Sequence, residues 1–215
     1  MNLIPVIEFE PGYYSIKDYK IPEYKDIDGW DKYWKNSLAD VGVIGLEAYK
    51  KGSWFVETEK LIEHYQAIEI MIQNRLSSIE PDPELDLIEQ LISLNGGYIL
   101  EVDETNIIYP QCCGGLEDLQ EWKDASEYLG DTEKTLWIGH PWLMVSAINE
   151  EYLKIRRTAE YGEPPEPVTF ELSRNDLKLS IIEAENKLRR FQQVVLPILK
   201  KIIPTGRRRS FDRFT

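Results

Sequence analysis

The sequence predicts an α+β fold, an antiparallel sheet packed against several helices, and three observations predict it. Apolar residues recur at steps of three and four near residues 61–76 and 177–202, the period of amphipathic helices. Between these stretches lie short runs rich in β-branched and aromatic residues, punctuated by Gly, Pro, Asn and Asp as strands and turns are. Helices, a hairpin, further strands and a closing helix follow in blocks, which favours α+β over an alternating α/β design. The expected organisation is one domain over residues 1–204 and a basic tail over 205–215.

Residues 3–25 read as a short strand and then an irregular arm, because Pro and Gly interrupt an aromatic-rich run. Asp28 is placed to cap a helix over "GWDKYWKNSLADVG", where Trp30 and Trp34 share a face. From Glu57 to Ser78, Leu61, Tyr65, Ile68, Ile72 and Leu76 form the stripe of one helix. In "PDPELDLIEQLISLNGG", Asp82 can cap, Pro83 suits the first helical position, and Asn95-Gly96 suits a left-handed end. "GYILEVDETNIIYP" reads as a hairpin turning at Asp103–Asn106. A helix over Leu116–Leu129 follows, with the stripe Leu116, Leu119, Trp122, Ala125 and Leu129. "TLWIGHPWLMVSAIN", "EYLKIRRTA" and "PPEPVTFEL" supply further strands.

The chain closes on a long helix opened by Ser173 and Asp176 as a capping box. Leu177, Ile181, Ala184, Leu188, Phe191, Val195, Ile198 and Ile202 form a heptad seam. Pro197 removes one backbone bond within it, so a kink or split is expected near residue 196. The seam suits a helix laid along the chain's own core. The alternative is a dimer, so a monomer or weak homodimer is expected.

Composition limits the function classes. The 215 residues hold 25 Lys plus Arg against 38 Asp plus Glu, a net charge of −13. The last stretch, "PTGRRRSFDRFT", is itself basic, so the body is more acidic still. Such a surface repels nucleic-acid backbones and anionic membranes. The expected partner is a basic protein, with no nucleic acid and no membrane. No apolar run reaches the roughly 20 residues a membrane span needs. The start, "MNLIPVIEFEPGYY", lacks the basic segment of a signal peptide. With only two cysteines, the expected address is the cytoplasm.

Those cysteines, Cys112 and Cys113, sit in "NIIYPQCCGGLEDLQEWKDA". A thiol before a helix gains from the dipole, but Glu117 and Asp118 place two full negative charges in the same first turn. A base would have to be His64 or His140, neither in a recognised pairing. Adjacent cysteines rarely share one metal ion, and four Cys and His in all make a poor zinc set. Two buried thiols at a structural corner are the expected reading. No phosphate loop, G-x-S-x-G or H-E-x-x-H motif occurs. No catalytic residue, cofactor or metal ligand is therefore assigned.

The helix behind the corner carries the functional signal. Glu117, Glu121 and Asp124 fall on one face with Asp118 beside them, and Lys123 is the helix's only base. Like charges at i,i+4 oppose the helix by a few tenths of a kcal/mol. Tyr13, Tyr14, Tyr24, Trp30 and Trp34 have the look of exposed aromatics. Aromatics anchor protein partners and carboxylates steer them. Trp30, Trp34, Glu117, Asp118, Glu121 and Asp124 are the expected partner-binding residues.

"GYILEVDETNIIYPQCCGGLEDLQEWKDA" with "WIGHPW", about residues 97–142, resembles segments of acidic cytosolic bacterial immunity proteins of polymorphic-toxin systems. The resemblance implies a cognate inhibitor that occludes a toxin domain, often a basic nuclease, without chemistry of its own. Two other classes stay open. One is a regulatory or scaffold protein dimerising through its last helix, the other a hydrolase built from scattered carboxylates.

Overall fold

The computed structural model describes residues 1–78, 94–103, 107–110, 113–140, 142–158 and 169–202. The fold is α+β, with antiparallel strands, helices and a long C-terminal helix. The chain gathers into two compact units, residues 1–7 with 95–188 and residues 8–94 with those from 189 onward. The expected domain over 1–204 runs across both. The expected helix after Asp82, the hairpin's turn at 104–106 and the basic tail lie outside the described residues.

The first unit is built from two sets of antiparallel strands and helical segments. Strand β1 (Asn2–Glu8) pairs with β3 (Gly96–Glu101), from Asn2 opposite Glu101 to Ile7 opposite Gly96. β3 pairs in turn with β4 (Ile107–Ile108), which is the expected hairpin. Gly96 opens β3 where a left-handed helix end was expected. Its φ is +155°, and a Cβ there would lie 2.2 Å from the Val6 carbonyl oxygen. Only glycine permits that approach.

β5 (Lys134–Leu136), β6 (Leu143–Ala147), β7 (Tyr152–Arg157) and β8 (Thr169–Ser173) form a meander in sequence order. Leu143, Val145, Leu153, Ile155, Phe170 and Leu172 turn one face inward. They meet Leu3, Leu100 and Ile108 of the other strands and Leu119, Trp122 and Ala125 of the acidic helix. Leu177, Ile181 and Ala184 of the last helix complete this core.

The second unit holds a single turn at Pro11–Tyr13, helix α1 (Ile27–Asp40), the short strand β2 (Phe55–Glu57), and helices α2 (Thr58–Glu63) and α3 (Tyr65–Ser78). Asp26, not Asp28, caps α1: its Oδ1 accepts the Gly29 N–H at 2.8 Å, and Asp28 stands in the first turn. Helix Glu57–Ser78 is in fact two helices. The chain leaves helical geometry at His64, whose φ and ψ are −111° and 59°. Of the expected stripe, Leu61, Ile68 and Ile72 are buried and Leu76 is half-buried, whereas Tyr65, directly after the break, is 45% exposed. Ala67 and Met71 complete the buried face of α3.

The last helix, α5 (Arg174–Ile202), follows the α4 helix (Leu119–Glu127) in chain order. Ser173 Oγ accepts the Asp176 N–H at 3.2 Å, half of the expected capping box. α5 runs unbroken through Pro197, so it is not split there. Pro197 and Gln193, whose carbonyl loses its partner, are both exposed, and water can take the missing bond. Seam residues Leu177, Ile181, Ala184, Phe191, Val195 and Ile198 are buried within the chain itself. Among the described residues no helix is long and apolar enough to cross a membrane.

Candidate functional site

The structure corrects the expected anchors first. Trp34 is fully buried, and its indole N–H donates to the Phe9 carbonyl at 2.8 Å. Tyr14 is buried too, stacked 5.4 Å from Phe9. Trp30 is half-buried between Tyr33 and Trp54, and its N–H donates to the Glu23 carbonyl. The i,i+4 spacing placed both tryptophans on one face, and that face is the inner one, because indoles bury large areas with one N–H to satisfy. Tyr13 and Tyr24 are exposed as expected.

In this unit the arm is fastened by Asp40. Its carboxylate accepts the Ile16 and Lys17 N–H groups at 3.1 and 3.0 Å and the Tyr19 hydroxyl at 2.9 Å, with Lys17 Nζ at 3.2 Å. Burial pushes the carboxyl up, but these hydrogen bonds and the lysine outweigh it and hold it at about 2. A cleft of about 450 Å³ opens between arm and α1, lined by both signs of charge: Lys20 and Lys32, Glu23 and Asp26.

The acidic helix is built differently. The Gly96 N–H donates to the Gly114 carbonyl and tethers the corner to β3. The Gly115 N–H donates to Asp118 Oδ2 at 2.8 Å, closing a tight turn over Leu116–Asp118 before α4 begins. The buried Tyr98 hydroxyl donates to the Leu116 carbonyl at 2.6 Å. Leu119, Trp122 and Ala125 point inward, whereas Leu129, expected in the same stripe, lies past the helix end and is 71% exposed.

Cys113 is exposed, contrary to the buried thiol expected. Its φ of +66° lies in the left-handed region, uncommon for a residue other than glycine. Cys112 lies outside the described residues. Among the described residues no group of three or more His, Cys, Asp or Glu is arranged to hold a metal.

Glu117 and Asp124 are exposed, and Asp118 and Glu121 half-buried. Among the described residues none of the four makes a salt bridge. Lys123, the one base of α4, is drawn to Glu185 at 2.5 Å. Asp118 shows the consequence. Burial, with Glu117 and Glu121 nearby, pushes its carboxyl up to about 6 against the Gly115 hydrogen bond.

An exposed aromatic group adjoins this face, and sequence reading missed it. The Trp137 backbone N–H donates to Glu121 Oε2 at 3.1 Å. Trp137 is 53% exposed and its ring lies 4.9 Å from Trp142, with His140 at 6.0 and 5.1 Å from the two. Ile138 between them is buried. The signal was the spacing in "WIGHPW", where alternation around a buried Ile138 turns Trp137 outward. A second missed residue is Arg174, buried with its guanidinium on the carbonyls of Ser126 and Glu150 at 2.6 and 3.0 Å. It closes the C-terminal end of α4, where a cation is favoured.

No known protein family, curated protein or solved structure matches the chain.

Proposed function

We propose that the protein is a binding module for a basic protein, met on the outer face of α4 and the aromatic group beside it. The observation that carries this reading is a set of four neighbouring carboxylates with no basic side chain paired to them among the described residues, joined through Glu121 to a half-exposed tryptophan. Native chains usually interleave charges of both signs, and an uncompensated face beside exposed aromatics suits an interface. The face attracts cations and speeds their encounter.

The specific form we propose is an immunity-type inhibitor that occludes a basic toxin domain, possible targets including nucleases, without chemistry of its own. The resemblance over residues 97–142 supports it, since that tract contains both α4 and the aromatic group. Affinity capture from native lysate, followed by mass spectrometry, tests the reading. Wild type is compared with a chain carrying Glu117→Gln, Asp118→Asn, Glu121→Gln and Asp124→Asn. A basic protein retained by wild type and lost from the neutralised chain is expected. A partner held equally by both would sink the proposal.

A further inference from the structure

We infer that the Trp137, His140 and Trp142 group is an arginine-stacking site, which holds one guanidinium of the basic partner against the indoles and the Glu121 carboxylate. This rests on the reading of the chain as a binder of a basic protein, and adds which partner side chain is gripped and where.

The geometry points to a cation. The two indole planes meet at 42° with centroids 4.9 Å apart, and His140 stands edge-on to both, at 86° and 64°. The histidine thus meets the indoles by its edge, and Trp137 is 53% exposed and Trp142 half-buried. An indole face carries the negative pole of the ring quadrupole and attracts a cation placed over it. Elsewhere in this unit such faces are already occupied: Lys134 lies over Tyr128 and Arg157 over Phe170, each at 5.8 Å. Among the described residues no cation lies over Trp137 or Trp142.

Glu121 supplies the second half of the site. Its Oε2 is held by the Trp137 backbone, which fixes the carboxylate beside the rings. Oε1 accepts no hydrogen bond among the described residues and is left to receive an incoming N–H. Glu117, Asp118 and Asp124 extend the negative field, which excludes a phosphate-bearing ligand. Arginine suits this pairing better than lysine. Its planar, weakly hydrated guanidinium stacks on an indole while its edge donates to a carboxylate.

Hexa-arginine and hexa-lysine peptides of equal charge, titrated at low ionic strength, test the site. The indole N–H resonances of Trp137 and Trp142 are followed by NMR. The arginine peptide is expected to shift both resonances and to bind about fivefold more tightly than the lysine peptide. Trp137→Ala, at an exposed position, should abolish that preference, weakening the arginine peptide more than the lysine peptide. Glu121→Gln can still accept the Trp137 backbone N–H and should weaken the arginine peptide more than the lysine peptide. Equal affinity of the two peptides for wild type overturns the arginine site without needing any variant. So does a preference that survives Trp137→Ala, or no binding by either peptide. Equal binding that depends on Glu121 would do so while leaving the acidic-face reading standing. That reading fails separately, if the neutralised chain captures the partner as well as wild type.

Discussion

The arm-and-α1 region and the α4 face use the same residue types and leave them in opposite states. In the first, Trp34 and Trp30 spend their N–H groups on the backbone, and Asp40 collects two amides, a hydroxyl and an ammonium. In the second, Trp137 exposes half its surface, and Asp118 has one amide and two carboxylate neighbours. Burial raises both aspartates. Donors decide the sign, so one ends at about 2 and the other at about 6. An acidic residue is thus a structural fastening where described groups of its own chain supply the positive charge and hydrogen-bond donors, as at Asp40, and is left with a raised pKa where they do not, as at Asp118.

The largest expected difference is between the tryptophans. Trp34→Ala should cost about 3–5 kcal/mol of unfolding free energy, through lost burial and a stranded Phe9 carbonyl. Trp137→Ala should cost under about 1 kcal/mol. Denaturant unfolding of both variants measures the gap, and comparable losses would erase the distinction between the regions.

Asp118 comes next. Its native state holds a proton more tightly than the unfolded chain, so its contribution to stability is full below about pH 4 and lost as pH rises through about 6. Asp118→Asn should therefore gain on wild type over that window. Screening of a half-exposed group reduces the gain to about 1–2 kcal/mol. A difference that stays flat from pH 4 to pH 7 would show that the face is already compensated.

Asp40 has the reverse sign. Its depressed pKa contributes stability above about pH 4, and that contribution is lost as pH falls through about 2. Asp40→Asn removes the lysine pairing and should speed hydrogen exchange at the Ile16 and Lys17 amides near neutral pH. Unchanged protection would mean the arm is fastened elsewhere.

No effect is expected from dilution. The apolar seam of α5 is buried within the chain, so the unfolding midpoint should not move with protein concentration. A clear dependence would restore the coiled-coil dimer.

Much of this was legible in the sequence because it follows from period. The steps of three and four placed Leu177, Ile181 and Ala184 inward, and Leu119, Trp122 and Ala125 likewise. Period tells which residues share a face, not which way the face looks, and Trp30 and Trp34 failed on that point. The break at His64 was invisible because Leu61, Ile68 and Ile72 stay buried on either side of it, although Tyr65 is turned out. The four carboxylates could be found from spacing alone. That no described cation pairs with them could not, because Lys123 is diverted to Glu185, 62 positions away by number. The link from Trp137 to Glu121 is likewise a tertiary contact that no local pattern encodes.

The most direct test uses the captured partner in purified form and follows its association rate with the chain from low to high salt. Binding through the acidic face requires a fast rate in wild type that falls steeply with ionic strength. The chain neutralised at Glu117, Asp118, Glu121 and Asp124 should associate more slowly and respond less to salt. A wild-type rate indifferent to salt, or two chains with superimposable salt dependence, would contradict recognition by this face.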